Sequence, residues 1–387
     1  AGVLGTASRG RAYTPSLPLM QAGEGFSETA AGLMAMANYG GYFLAALFSS
    51  YLFKFGGRSV WLRRHLILNV LTTGAMGWCD HAAVWGVIRF LSGWSSGVVF
   101  VLCSNIVLDR LLADRRHHWL AGVFYSGVGL GIAFSGLAVP WLSRWEGWRG
   151  AWWGLMAFGA AALPLIWFGL REGNPSVPPV PQGLPNRTAA SSQNRFRPGR
   201  YGWLVLAYGL EGLGYIVSGT FLVAAVVSWP ELAPYGAFSW VLVGLAAAPS
   251  TILWSLLGNR WGERRALPAA YLLQAAGVAL PALFPQWLTV FLGALLFGGT
   301  FMGIVTLAMN VGRRLAADQG RVVGQLTAAY GLGQMVGPAL AGAMASWTGG
   351  YVLPLVFAGA VVLAGAGASA PLTAAGRRER PGLPFTQ

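Results

Sequence analysis

Apolar runs of about 20 residues, parted by short turns that gather nearly all the charge, follow one another along the whole chain. Hydrocarbon offers no water to backbone N–H and C=O groups, so each run has to satisfy its own hydrogen bonds as a helix. The runs fall near 2–20, 28–52, 61–79, 82–106, 119–142, 150–170, 202–228, 237–258, 266–283, 287–310, 322–345 and 350–372. They predict an all-α integral membrane protein with twelve transmembrane helices. Of the 387 residues, 10% are charged, against about a quarter in soluble domains. Such a chain has no room for a sizeable soluble domain, which excludes a soluble enzyme.

The charges report orientation. The even-numbered connections and the tail hold 21 of the 26 basic residues, among them Lys54, Arg58, Arg115, Arg200, Arg260, Arg264, Arg313 and Arg377. The odd-numbered connections hold Arg144 and Arg149, beside the acids Glu24, Glu28, Glu146 and Glu231. This bias predicts that the basic turns and the C-terminus face the cytoplasm. A net charge of +14 spread over turns, rather than gathered on one face, argues against nucleic acid as a partner.

The longest connection, 171–201, is rich in Pro, Asn, Ser and Arg and too polar to fold on its own. It predicts an N-terminal six-helix bundle at 1–170, a cytoplasmic linker at 171–201, a C-terminal six-helix bundle at 202–372 and a cytoplasmic tail at 373–387. The halves repeat each other. Lys54-Phe55-Gly56-Gly57-Arg58 in the second cytoplasmic turn of the first is matched by Arg260-Trp261-Gly262-Glu263-Arg264 in the second, at an offset of 206. Phe90, Leu91, Gly97 and Phe100 are likewise matched by Phe291, Leu292, Gly298 and Phe301, at an offset of 201.

Several stretches carry a resemblance: Tyr13-Thr14-Pro15-Ser16-Leu17-Pro18-Leu19-Met20, Ala37-Asn38-Tyr39-Gly40-Gly41-Tyr42, Arg89-Phe90-Leu91-Ser92-Gly93-Trp94-Ser95-Ser96-Gly97, Tyr208-Gly209-Leu210-Glu211-Gly212-Leu213-Gly214-Tyr215 with Thr220-Phe221-Leu222, and Gly244-Leu245-Ala246-Ala247-Ala248-Pro249-Ser250. In this order they resemble helices 1, 2, 4, 7 and 8 of the major facilitator superfamily (MFS), in its YbfB/YjiJ-like branch. The resemblance implies a bacterial inner-membrane transporter that works as a monomer without a cofactor, by alternating access around a midplane site between two pseudo-repeated halves. It also implies that the turns with Lys54, Gly56, Arg58, Arg260, Gly262 and Arg264 gate the cytoplasmic face. Two departures stand out. Phe53 and Asn259 occupy places where the superfamily usually has Asp. Gly10 stands where the branch has Arg, and Arg9 and Arg11 beside it point about 100° away on a helix. With the abrupt start at Ala1, this leaves natural divergence and a truncated N-terminus both open.

Few charges remain inside the bilayer, and Arg89 and Glu211 are the clear ones. A charge at the bilayer centre costs about 2.5–3.5 kcal/mol on the permissive insertion scale, so such residues usually face a cavity or a partner. Glu211 has Tyr208 three residues before and Tyr215 four residues after, on its own helix face. A desolvated carboxyl there would exchange a proton on each cycle. The bland alternative is a fixed hydrogen bond to a neighbouring helix. Arg89 would bind a carboxylate bidentately or pair with an acid, or else snorkel to water from near the helix end. Tyr13 and Asn38 join these four as candidates for substrate and proton translocation. Gly93 and Gly97 follow Arg89 at four-residue spacing, and with Gly131, Gly337 and Pro338 they are expected to let helices approach and bend.

Other chemistries lack parts. Cys79 and Cys103 read as free core thiols. His65, His117 and His118 fall in basic turns and His81 in an outer loop, so neither a metal site nor an acid–base cluster is expected. No nucleotide-binding glycine loop occurs, so transport would draw on ion gradients. The expected function is secondary active transport of a small organic solute, neutral or singly anionic and partly apolar. The proton is the expected coupling ion, with efflux favoured over uptake. The other reading is a non-transporting sensor or scaffold on the same fold.

Overall fold

The computed structural model describes residues 12–52, 57–113, 119–169, 198–315 and 319–373. They are helical throughout, with no strand among them. The first helices are α1 (Tyr13–Glu24), α2 (Glu28–Leu52), α3 (Arg58–Ala75) with a 3-10 turn Met76–Trp78, and α4 (Ala82–Ala113). The stretch Trp119–Gly169 breaks at Glu146 (φ −135°) and Gly147 (φ 58°), a left-handed value that favours glycine, which makes α5 (119–145) and α6 (148–169). Then come α7 (Pro198–Ser228), a 3-10 turn Ala233–Tyr235, α8 (Gly236–Trp261) and α9 (Glu263–Leu283). The last are α10 (Trp287–Leu315), α11 (Gln319–Thr348) and α12 (Val352–Thr373).

Each described helix coincides with one expected run, and the ends differ by up to about two turns, α4 running on to Ala113. The run expected at 2–20 is described from Tyr13 onward. His65, expected in a turn, lies inside α3, buried, its ring nitrogen 2.9 Å from the Trp61 carbonyl oxygen. Eight stretches among the described residues are long and apolar enough to cross a membrane. They take in all the helices but α1, α3 and α11. The described part of α1 has 12 residues, α3 starts on Arg58, Arg63 and Arg64, and α11 is diluted by Thr, Gln and Gly.

Close approaches at glycine hold the helices together, as packing in lipid demands where no hydrophobic force distinguishes helix from tail. α2 lies against α4, where a Cβ on Gly93 would strike the Asn38 backbone and one on Gly97 would come 2.7 Å from the Ala45 Cβ. α7 lies against α11, where a Cβ on Gly337 would sit 2.7 Å from Ile216. The two most extensive pairs that link the first six helices to the last six are α5 with α8 and α2 with α11, and α1 adds a smaller contact with α7. α5 meets α8 at Gly129, Gly136 and Gly244, and α2 meets α11 at Gly32, Pro338 and Gly342. Gly131, expected to help here, is buried in the same part of α5.

Polar contacts add to these pairs at one end of the molecule. Thr29 Oγ1 donates to Ser346 Oγ at 2.9 Å, Ser346 Oγ to Glu28 Oε2 at 3.1 Å, and Tyr351 OH to Gln21 Oε1 at 3.3 Å. Thr14 on α1 donates to the Gly219 carbonyl on α7. Arg149 bridges Asp80 at 2.6 Å and Glu24 at 3.4 Å. The opposite end carries Arg58, Arg260, Arg264, Arg313 and Arg314. There Gly262 (φ 84°) turns α8 into α9, and Glu263 pairs with Arg314 at 3.2 Å, tying that turn to the end of α10.

Candidate functional site

A cavity of about 920 Å³ lies among α2, α4, α5, α7, α8, α10 and α11. It runs from Asn38, Trp240 and Gly219 to Asn310, Arg313 and Val323, toward the basic end of the molecule. The α2–α11 and α5–α8 contacts close the other end. The wall is mostly aromatic and aliphatic. Tyr208 stacks on Tyr330 (centroids 4.5 Å apart), Tyr330 on Tyr215 (5.4 Å), Tyr215 on Phe301 (5.7 Å) and Phe301 on Phe297 (5.7 Å). These near-parallel rings from α7, α10 and α11 form one ladder down one side of the cavity, held at Tyr215 by the side-chain amide of Gln334, which donates to its hydroxyl.

Of the residues expected to contact substrate or protons, Asn38, Tyr208 and Tyr215 line this cavity, as does Gly93. Glu211 does not line it. One turn along α7 from Tyr208, Glu211 is wholly buried, and its single hydrogen-bond partner among the described residues is Gln274 of α9, whose Nε2 donates to Oε1 at 2.7 Å. Glu211 Oε2 and Gln274 Oε1 are buried without a partner among the described residues.

Arg89 and Tyr13 sit beyond the closed end of the cavity. Arg89 is 1% exposed, so it does not reach water here, and its guanidinium carbon stands 4.6 Å over the Tyr13 ring. The Asn38 side-chain amide donates to the Arg89 backbone carbonyl at 2.8 Å, and Tyr13 OH donates to the Ala31 carbonyl at 3.0 Å. Arg89 Nε and Nη2 are buried without hydrogen-bond partners among the described residues. A cation–π contact of this desolvated kind is worth about 2 kcal/mol. It leaves both of those donor nitrogens unsatisfied among the described residues.

Lys54 and Gly56 lie outside the described residues, as do Arg9 and Arg11. Arg58 begins α3, and Arg260, Gly262 and Arg264 surround the α8–α9 turn. Gln274, Tyr330 and Gln334 carry no charge and fall outside the stretches that carry the family resemblance, so neither signal marks them in the sequence. A glutamine in an otherwise apolar span was the signal available for Gln274.

Residues 8–370 match the family described as uncharacterised MFS-type transporter YbfB. The chain belongs to that family. An MFS-type transporter is a multi-pass membrane protein that carries small solutes, in keeping with the apolar helices and the cavity among them. Among solved structures, the chain is similar to the crystal structure of a mutant of the nucleoside transporter NupG, at 14% identity, a TM-score of 0.70 and 97% coverage of both chains. At that identity the likeness shows the MFS fold. No curated protein matches the chain.

Proposed function

We propose that this MFS-type transporter moves a small, partly apolar organic solute by proton-coupled alternating access, with Glu211 as the coupling group. The observation that carries the reading is a carboxyl wholly removed from water one helical turn behind a cavity-lining tyrosine. Such an isolated acid is expensive in a bilayer unless it works through its proton. The bundles at 1–170 and 202–372 rock about the cavity, while the linker at 171–201 and the tail stay on the cytoplasmic face of the inner membrane. Because the positive-inside bias puts the basic end there, the open cavity admits solute from the cytoplasm, which favours efflux in exchange for protons. The ring ladder favours a solute with a flat apolar face, since stacked aromatic pairs contribute about 0.5–1.5 kcal/mol beyond area burial.

The test uses purified protein in liposomes loaded with a pH dye and challenged with pooled organic acids, amines and aromatic solutes. Solute-evoked proton flux is expected in the wild type and absent in Glu211→Gln, which keeps the shape and cannot ionise. Flux that persists in the variant removes Glu211 from the coupling step.

Arg89 yields a separate expectation. Arg89→Ala loses the contact with Tyr13, a cost on the order of 2 kcal/mol, and is expected to slow transport at least about tenfold. Unchanged kinetics of solute uptake into the same liposomes would take Arg89 off the transport path.

A further inference from the structure

We infer that Glu211 carries its proton in this conformation and that Gln274 is the residue that holds it there, the two side chains closing a carboxylic acid–amide ring between α7 and α9. The inference rests on the reading of Glu211 as the coupling group and deepens it by naming the proton's partner and the state in which the proton is bound.

The hydrogens of the pair can be counted one by one. The Gln274 amide gives one N–H to Glu211 Oε1 at 2.7 Å. The two remaining oxygens of the pair, Glu211 Oε2 and Gln274 Oε1, are both buried and both without a donor among the described residues. An ionised carboxylate is only an acceptor, and so is an amide oxygen, so an ionised Glu211 leaves two acceptors on adjoining head groups with nothing between them. One proton on Oε2 converts that oxygen into a donor, and the unmet acceptor on the head group already bonded to Glu211 is Gln274 Oε1. A single hydrogen thus satisfies both orphans, in the way buried polar groups are regularly satisfied.

The surroundings supply no other answer. Tyr208 on α7, Tyr271 on α9 and Tyr330 on α11 are the titratable groups that interact electrostatically with Glu211. The Tyr271 hydroxyl is already committed to the Ala207 carbonyl at 2.9 Å. α10 and α12 bring Leu307, Ala308, Val362 and Ala366 to the same cluster, and none of these titrates. Arg149 pairs with Glu24 and Asp80 and Arg314 with Glu263, and among the described residues no cation is paired with Glu211.

Release has a defined consequence. When the O–H bond of Glu211 breaks and the proton passes to water, the carboxylate faces the Gln274 amide oxygen, and the ring has to open. Tyr208 and Tyr330, which line the cavity and interact electrostatically with Glu211, are the side chains expected to yield for water to arrive. Gln274 keeps its own hydrogens throughout and acts as a positioning residue.

Infrared difference spectra of the full chain at neutral pH, in an ester-free detergent, read the C=O stretch of a protonated carboxyl directly. The expected result is a band in the wild type that is missing in Glu211→Gln and shifts to higher frequency in Gln274→Leu, where the acid loses its partner. Gln274→Met, closer in shape, repeats the measurement if leucine disturbs folding. Absence of the band in the wild type means an ionised Glu211 and overturns the inference. A band that vanishes in Glu211→Gln but stays put in both Gln274 variants overturns the role of Gln274. Proton flux in liposomes from the same preparations judges the coupling reading separately: a band that behaves as expected without flux retires the coupling role and leaves the ring standing.

Discussion

Gly93→Leu is expected to abolish accumulation of folded protein. A Cβ at this position would fall on the Asn38 backbone of α2, within 2.7 Å of its carbonyl carbon and 3.1 Å of its Cα. A backbone cannot rotate aside as a side chain does, so α2 and α4 would have to separate. That separation also strains the hydrogen bond from the Asn38 amide to the Arg89 carbonyl at 2.8 Å, and it disturbs the ceiling of the cavity. Overpacking of this kind costs about 1–3 kcal/mol where neighbours adjust, and more where they are main chain. Gly86 is the internal control, on the same helix with nothing within 4 Å of a Cβ. The readouts are the monodisperse fraction on size exclusion in detergent and the apparent Tm. If Gly93→Leu matches Gly86→Leu in both, the close approach of α2 and α4 does not hold the fold.

The second large effect concerns the closed end of the cavity. Gly342→Leu drives a side chain into α2, where a Cβ would strike the Glu28 carbonyl oxygen and come 3.1 Å from the Gly32 Cα. The reciprocal position, Gly32, meets the Pro338 carbonyl, so the two helices touch main chain to main chain at both glycines. A wedge here destabilises the closed state specifically, by about 1–3 kcal/mol, which moves a two-state balance by about five- to 150-fold. The protein is expected to shift toward the conformation open at this end and to lose solute transport, since the seal cannot reform. Spin labels at Leu33 and Trp347, both exposed on these helices, would report a longer distance in Gly342→Leu once the two native cysteines are replaced. An unchanged distance distribution with intact transport would show that this contact is no seal.

The sequence by itself determined the class, the helices, the orientation bias and the family. Apolar runs long enough to span a bilayer leave the backbone one solution, and α2 and α4 start at the residues where the expected runs 28–52 and 82–106 start. Ends strayed where a run leaves the bilayer as unbroken helix, as at α10, which continues to Leu315. Arg89 and Glu211 were legible because an ionisable residue inside an apolar run is rare enough to be noticed alone.

Only the tertiary structure decided what those residues meet. Gln274 lies 63 positions from Glu211, and Tyr330 comes to Tyr208 and Tyr215 from another helix. Helix periodicity places side chains on a face and says nothing of which helix that face will touch. Nor could it separate Tyr208, which lines the cavity, from Glu211, which is buried behind it on the same helix. In a bilayer, water does not favour one apolar neighbour over another. Partners are chosen by which small residues let two backbones approach, and that is settled only when all the helices pack at once.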